Sequence, residues 1–98
     1  MTETEYLQQT QTLFNAVMAH IENNYPDLDT QSHGAIVEIE NDDGQKIIIN
    51  QQTPMQEVWL ASRSGGYHFK WNGTVWVNTR DGVDFWEFLD TAVAQINL

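Results

Sequence analysis

Short runs of alternating apolar and polar residues, punctuated by Asp43-Gly44 and Asn72-Gly73, constrain this chain more than any other feature. Ala35, Val37 and Ile39 alternate with Glu38 and Glu40, and Asp43-Gly44 then turns the chain into Lys46–Asn50. Glu57–Ala61, Tyr67–Trp71 and Thr74–Asn78 are further runs of strand character, the last two joined by Asn72-Gly73. Period-two alternation describes a strand with one face on a core, and Asn-Gly or Asp-Gly reverses it into an antiparallel neighbour. A short edge strand is expected around Asp27–Thr30. An antiparallel sheet follows, and its apolar face needs a cover.

Two helical patterns supply the cover. Thr2 and Glu5 stand at capping-box spacing, followed by Tyr6, Leu13, Phe14, Val17 and Ile21 at three- and four-residue steps; Asn23, Asn24 and Pro26 end the pattern. After the strands, Asp81 is expected as the N-cap of a second helix with Phe85, Phe88, Leu89, Ala92 and Ile96 as its apolar stripe. The order helix, five or six strands, helix predicts an α+β fold, both helices packed on one face of an antiparallel β-sheet. Ninety-eight residues with 41% hydrophobic content suit one core, so residues 1–98 are expected to form a single domain.

The absence of cysteine excludes disulfides, thiol nucleophiles and thiolate-held zinc or iron–sulfur clusters. No apolar run approaches the roughly 18 residues of a membrane span. The acidic start, Met-Thr-Glu-Thr-Glu, does not resemble a secretory or transit signal, which leads to the expectation of a soluble, cytoplasmic protein. Net charge is −10, and it is unevenly distributed: no Lys or Arg precedes Lys46, while Glu3, Glu5, Glu22, Asp27, Asp29, Glu38, Glu40, Asp42 and Asp43 all do. Such a surface repels nucleic acid and anionic membranes; it favours basic proteins and hard cations.

Alternation also singles out one tryptophan. Val58 and Leu60 take the core side, which sends Trp59 outward beside Glu57, with Asn50 and Gln52 near in sequence. A large aromatic on the outer sheet face is a candidate binding anchor, or else a cover for a neighbouring strand. Trp71, Trp76 and Trp86 read as core or core-rim residues.

The runs Lys46-Ile47-Ile48-Ile49-Asn50, Gln52, Pro54, Val58-Trp59-Leu60-Ala61 and Ser64-Gly65-Gly66-Tyr67-His68-Phe69 resemble the frataxin family, particularly its bacterial branch; Trp71, Trp76, Asp81-Gly82 and Phe85-Trp86 continue the match. The resemblance spans essentially the whole chain and implies two helices against an antiparallel sheet. It implies a non-enzymatic regulator of iron–sulfur cluster assembly that binds iron (Fe2+ or Fe3+) weakly on its surface, where other divalent cations can substitute. The implied partners are the cysteine desulfurase and the iron–sulfur scaffold protein, with the protein monomeric without metal. Carried onto this sequence, metal and desulfurase contacts fall to Glu22, Asp27 and Asp29, with Glu3 as a lesser member, and scaffold contacts to Asn50, Gln52, Glu57 and Trp59.

Two departures are specific to this chain. Met18, Ala19 and Asn23 stand near the end of the first helix where family members carry carboxylates, and Glu57 stands where the family usually has Gln. The sequence ends at Leu98, soon after the second helix, which leads to an expectation of modest thermal stability. The alternative function is an iron-oxidising or iron-storing protein acting as iron donor, which needs a closely spaced metal pair; a blander one is an acidic adaptor for an unrelated basic protein. His20, His33 and His68 lack two-ligand spacing, Asp42-Asp43-Gly44 lacks a calcium loop's ligands, and no nucleophile motif accompanies the serines.

Overall fold

The computed structural model describes residues 1–97. Its first helix, α1, spans Glu3–Asn24 and is capped as its sequence dictates: Glu5 N–H donates to Thr2 Oγ1 at 3.1 Å and Thr2 N–H donates to Glu5 Oε1 at 3.0 Å. The bond from the Thr2 backbone N–H, and after it the Thr2 side chain, holds the Glu5 carboxyl below its usual value. One helix face carries Tyr6, Thr10, Leu13, Phe14, Val17 and Ile21, all buried.

Six strands follow as an antiparallel meander in chain order: β1 (Asp29–His33), β2 (Ile36–Glu40), β3 (Lys46–Gln52), β4 (Glu57–Ser62), β5 (Gly65–Trp71) and β6 (Trp76–Asn78). A 3₁₀ turn at Thr53–Met55 joins β3 to β4. The second helix, α2 (Phe85–Ile96), closes the fold. Val37, Ile39, Ile47, Ile49, Val58, Leu60 and Phe69 project from the sheet into one core shared with α1 and with Phe85, Leu89, Ala92, Val93 and Ile96 of α2. This is the α+β arrangement expected from the alternation and the two apolar stripes.

Several boundaries differ from the sequence reading. The edge strand is β1 at Asp29–His33 rather than Asp27–Thr30. The β2–β3 connection spans 41–45, between the strand ends Glu40 and Lys46 that the alternation gives, and a side chain organises it: Asn41 Oδ1 accepts from Asp43 N–H at 3.1 Å and Gln45 N–H at 2.8 Å. Similarly, Asn72 Oδ1 accepts from the backbone of Thr74 and Val75, delaying β6 to Trp76. The N-cap of α2 is Asp84, not Asp81; Asp84 Oδ2 accepts from Trp86 N–H at 2.9 Å. Asp81 instead accepts from Val83 N–H in a turn, because Gly82 at φ +74° takes the chain out of any right-handed helix.

Tyr6 ties α1 to the sheet. Its hydroxyl donates to the Glu57 carbonyl at 2.6 Å and accepts from Gln52 N–H at 3.0 Å, and Gln52 and Glu57 are register partners at the β3–β4 end. Burial raises the Tyr6 phenol above its ordinary value, since the phenolate has no water to solvate it.

Candidate functional site

Two surfaces hold the residues that sequence reasoning selected. The first is an acidic end. The last turn of α1 carries Glu22, the chain turns through Asp27, and β1 opens at Asp29, whose cross-strand partner is Glu40. Asp27 also lines a cleft of about 300 Å³ with Asn41, Asp42, Asp43 and Asn97. Asp29 and Glu40 are like charges placed directly opposite each other, an arrangement that costs free energy unless a cation relieves it. Lys46 is the other cross-strand neighbour of Glu40, but its ammonium pairs with Glu38 at 3.8 Å; among the described residues no cation comes within 4 Å of the carboxylates of Glu22, Asp27, Asp29, Glu40, Asp42 or Asp43.

Glu3 is separate. It opens α1 while Glu22 closes it, about 28 Å away along the helix axis, so the two cannot share one ion. No three His, Asp or Glu side chains come together as a metal-holding group among the described residues. Any ion here would be held by few carboxylate oxygens on an open surface, which suits a hard cation bound weakly.

The second surface is the outer face of the sheet, opposite the helices. Asn50, Trp59 and His68 form one cross-strand row, and Gln52, Glu57 and Lys70 the next. Trp59 does lie on the outer face, and it also covers its neighbour: its ring stacks on His68 with centroids 4.2 Å apart and planes 6° from parallel. Glu57 is not the exposed neighbour that alternation suggested. It is 4% exposed, and its carboxylate accepts the Trp59 indole N–H at 2.8 Å, with His68 Nδ1 at 3.5 Å and Lys70 Nζ at 3.7 Å. Three nitrogen groups therefore compensate a carboxylate that the central strand removes from water.

Sequence reasoning missed His68 and Lys70 as parts of this face. The signal was present: Phe69 points inward, so its neighbours point outward, and His68 is the register partner of Trp59. It also missed that Glu40, Asp42 and Asp43 join the acidic end, which depends on how β2 pairs and turns. His33 stands 3.7 Å from Glu38 and 3.0 Å from Gln31 at the β1 edge.

A family model for the frataxin-like domain matches residues 1–97. This chain belongs to the frataxin-like family. The family's fold extends to solved structures: a frataxin from Psychromonas ingrahamii superposes with a TM-score of 0.91 at 32% identity, covering 97% of this chain and 90% of that one. Trimeric yeast frataxin, solved in a ferrous complex, shares the fold with a TM-score of 0.71 at 23% identity, covering 98% and 86%. Among curated relatives, the iron–sulfur cluster assembly protein CyaY of Janthinobacterium sp. (strain Marseille) is 44% identical, with 97% of this chain and 89% of the relative covered. The CyaY of Neisseria meningitidis serogroup B is 42% identical, covering 96% and 88%. No helix among the described residues of this chain is long and apolar enough to cross a membrane.

Proposed function

We propose that this frataxin-like chain serves iron–sulfur cluster assembly as a non-catalytic, weakly iron-binding regulator that docks on a cysteine desulfurase and its scaffold protein. The observation that carries the reading is the acidic end, without an ion pair among the described residues, of a chain matched over 97% of its length by a CyaY assembly protein. Glu22, Asp27 and Asp29 supply carboxylate oxygens for iron as cargo and a negative field for a basic desulfurase surface; the charge of −10 extends that field. Asn50, Gln52, Glu57 and Trp59 form the scaffold-facing surface, supported by their convergence on one sheet face. Glu3, at the far end of α1, contributes to neither.

The test is an NMR titration of isotope-labelled protein with the host's cysteine desulfurase at two ionic strengths. The expected result is salt-sensitive shifts over residues 22–29. Reversing Asp27 and Asp29 to Lys should weaken association at least about tenfold at low salt, with a smaller effect at high salt. Undiminished affinity of the double reversal would remove the acidic end from the interface.

A further inference from the structure

The outer sheet face has a depression beside Trp59 whose chemistry specifies what can enter it. It holds about 220 Å³ and is lined by Ile48, Asn50, Trp59, Ala61, Gly66 and His68. Its floor is the row Ile48, Ala61, Gly66, adjacent to the Asn50, Trp59, His68 row. The floor is low because two of its three residues are small, and a Cβ added at Gly66 would meet nothing within 4 Å. A cavity of roughly 150 Å³ accepts benzene, so there is room here for one branched aliphatic side chain.

The indole itself has no polar contact left to give. The only hydrogen-bond donor of an indole is its N–H, and that of Trp59 is spent on Glu57, an acceptor whose side chain is just 5% exposed. Stacking on His68 fixes the ring in the same pose. Trp59 thus offers a visitor apolar ring surface and no donor. The lock is particular to Glu57, whose charge also draws in His68 and Lys70.

Charge names the rest of the visitor. The floor row continues from Ile48 to Glu38 on β2, and one same-face position along lies the row Asp29, Glu40, Lys46, in which the Lys46 ammonium turns to Glu38 and leaves the two acids without an ion pair. Strand spacing puts Glu40, two strands over and one same-face step along, about 12 Å from Ala61, and Asp29, one strand further, about 16 Å away. We propose that the partner inserts one aliphatic side chain over Ala61 and Gly66 against the Trp59 ring, makes no hydrogen bond to the indole, and carries a Lys or Arg about 12–16 Å away that reaches Glu40 and Asp29. This rests on the reading of the outer face as a partner surface and says how that surface reads its partner.

The experiment is calorimetric binding of the host's scaffold protein assembled on its cysteine desulfurase, with four forms of the present chain. Gly66→Val fills the depression from a backbone that tolerates any residue; it should keep the wild-type melting temperature and lose at least about tenfold in affinity. Trp59→Ala should lose as much, while Trp59→Phe, which keeps an apolar ring and drops the N–H, should bind within about threefold of wild type. A loss in Trp59→Phe as deep as in Trp59→Ala overturns the proposal while leaving the face as a docking surface. Wild-type affinity in all three variants, or no binding by the wild type, overturns the proposal together with the reading on which it rests.

Discussion

Tyr6→Phe isolates the hydroxyl that joins α1 to the sheet. The ring stays: Tyr6 is fully buried and packs edge-on against Trp76 with centroids 6.1 Å apart, contacts a phenylalanine keeps. What goes is the hydroxyl's 2.6 Å bond to the Glu57 carbonyl and its 3.0 Å bond from Gln52 N–H. Leaving a buried backbone group without a partner costs about 1–3 kcal/mol, and Gln52 is only half-buried, so water relieves part of its share. Relief of the hydroxyl's own desolvation offsets a further part. The expected loss is about 2–3 kcal/mol at pH 7, or a melting temperature lower by about 10 °C or more for a chain of this size.

The same hydroxyl makes the difference pH-dependent. Burial raises the Tyr6 phenol above its ordinary 10.0, so the folded state holds that proton more tightly than the unfolded chain does. The stability linked to it is fully present below pH 10 and is lost as pH climbs from 10 toward the folded value. Phenylalanine has no such loss, so the gap between wild type and variant should narrow above pH 10. Tyr25 is also raised, by burial and then by the neighbouring Asp90, and acts equally in both proteins. Urea unfolding followed by far-UV circular dichroism at pH 7, 9 and 10.5, with unchanged m-value, measures this. A loss below about 0.5 kcal/mol at pH 7, or a gap that widens with pH, would refute the reasoning.

Two further substitutions test the fold. Asp84→Ala should cost about 1 kcal/mol by removing the α2 cap, whereas Asp81→Ala should cost less than half of that in the same urea assay; equal losses would return the cap to Asp81. Thr10→Val strands the Gln51 amide, which donates to Thr10 Oγ1 at 2.5 Å, and should cost about 1–2 kcal/mol; Thr10→Val with Gln51→Leu should recover much of it, and a double mutant that simply adds the two single losses would show that the pair is not coupled.

The sequence determined by itself whatever depends on neighbours in the chain. The α1 capping box is legible because Thr2 and Glu5 are three residues apart, and the apolar faces of α1 and of the strands follow from local periodicity. Turn details were less legible: Asn41 organises the 41–45 loop through side-chain bonds, Asn72 delays the start of β6 from Thr74 to Trp76, and Gly82 postpones α2 to Asp84. Family membership, too, was written in ordered motifs along the whole chain.

Only the tertiary structure decided the chemistry of the surfaces. Glu57 alternates outward, yet it is buried, because His68 and Lys70 arrive from β5 and Trp59 folds over it; pattern along one strand carries no information about the next strand's side chains. The Asp29–Glu40 opposition comes from register, and Glu3 is separated from Glu22 by the length of the helix that bears both. Local periodicity assigns a residue to a face, whereas burial, pairing and the fate of a hydrogen bond are set by residues tens of positions away, which only the packed chain brings within reach.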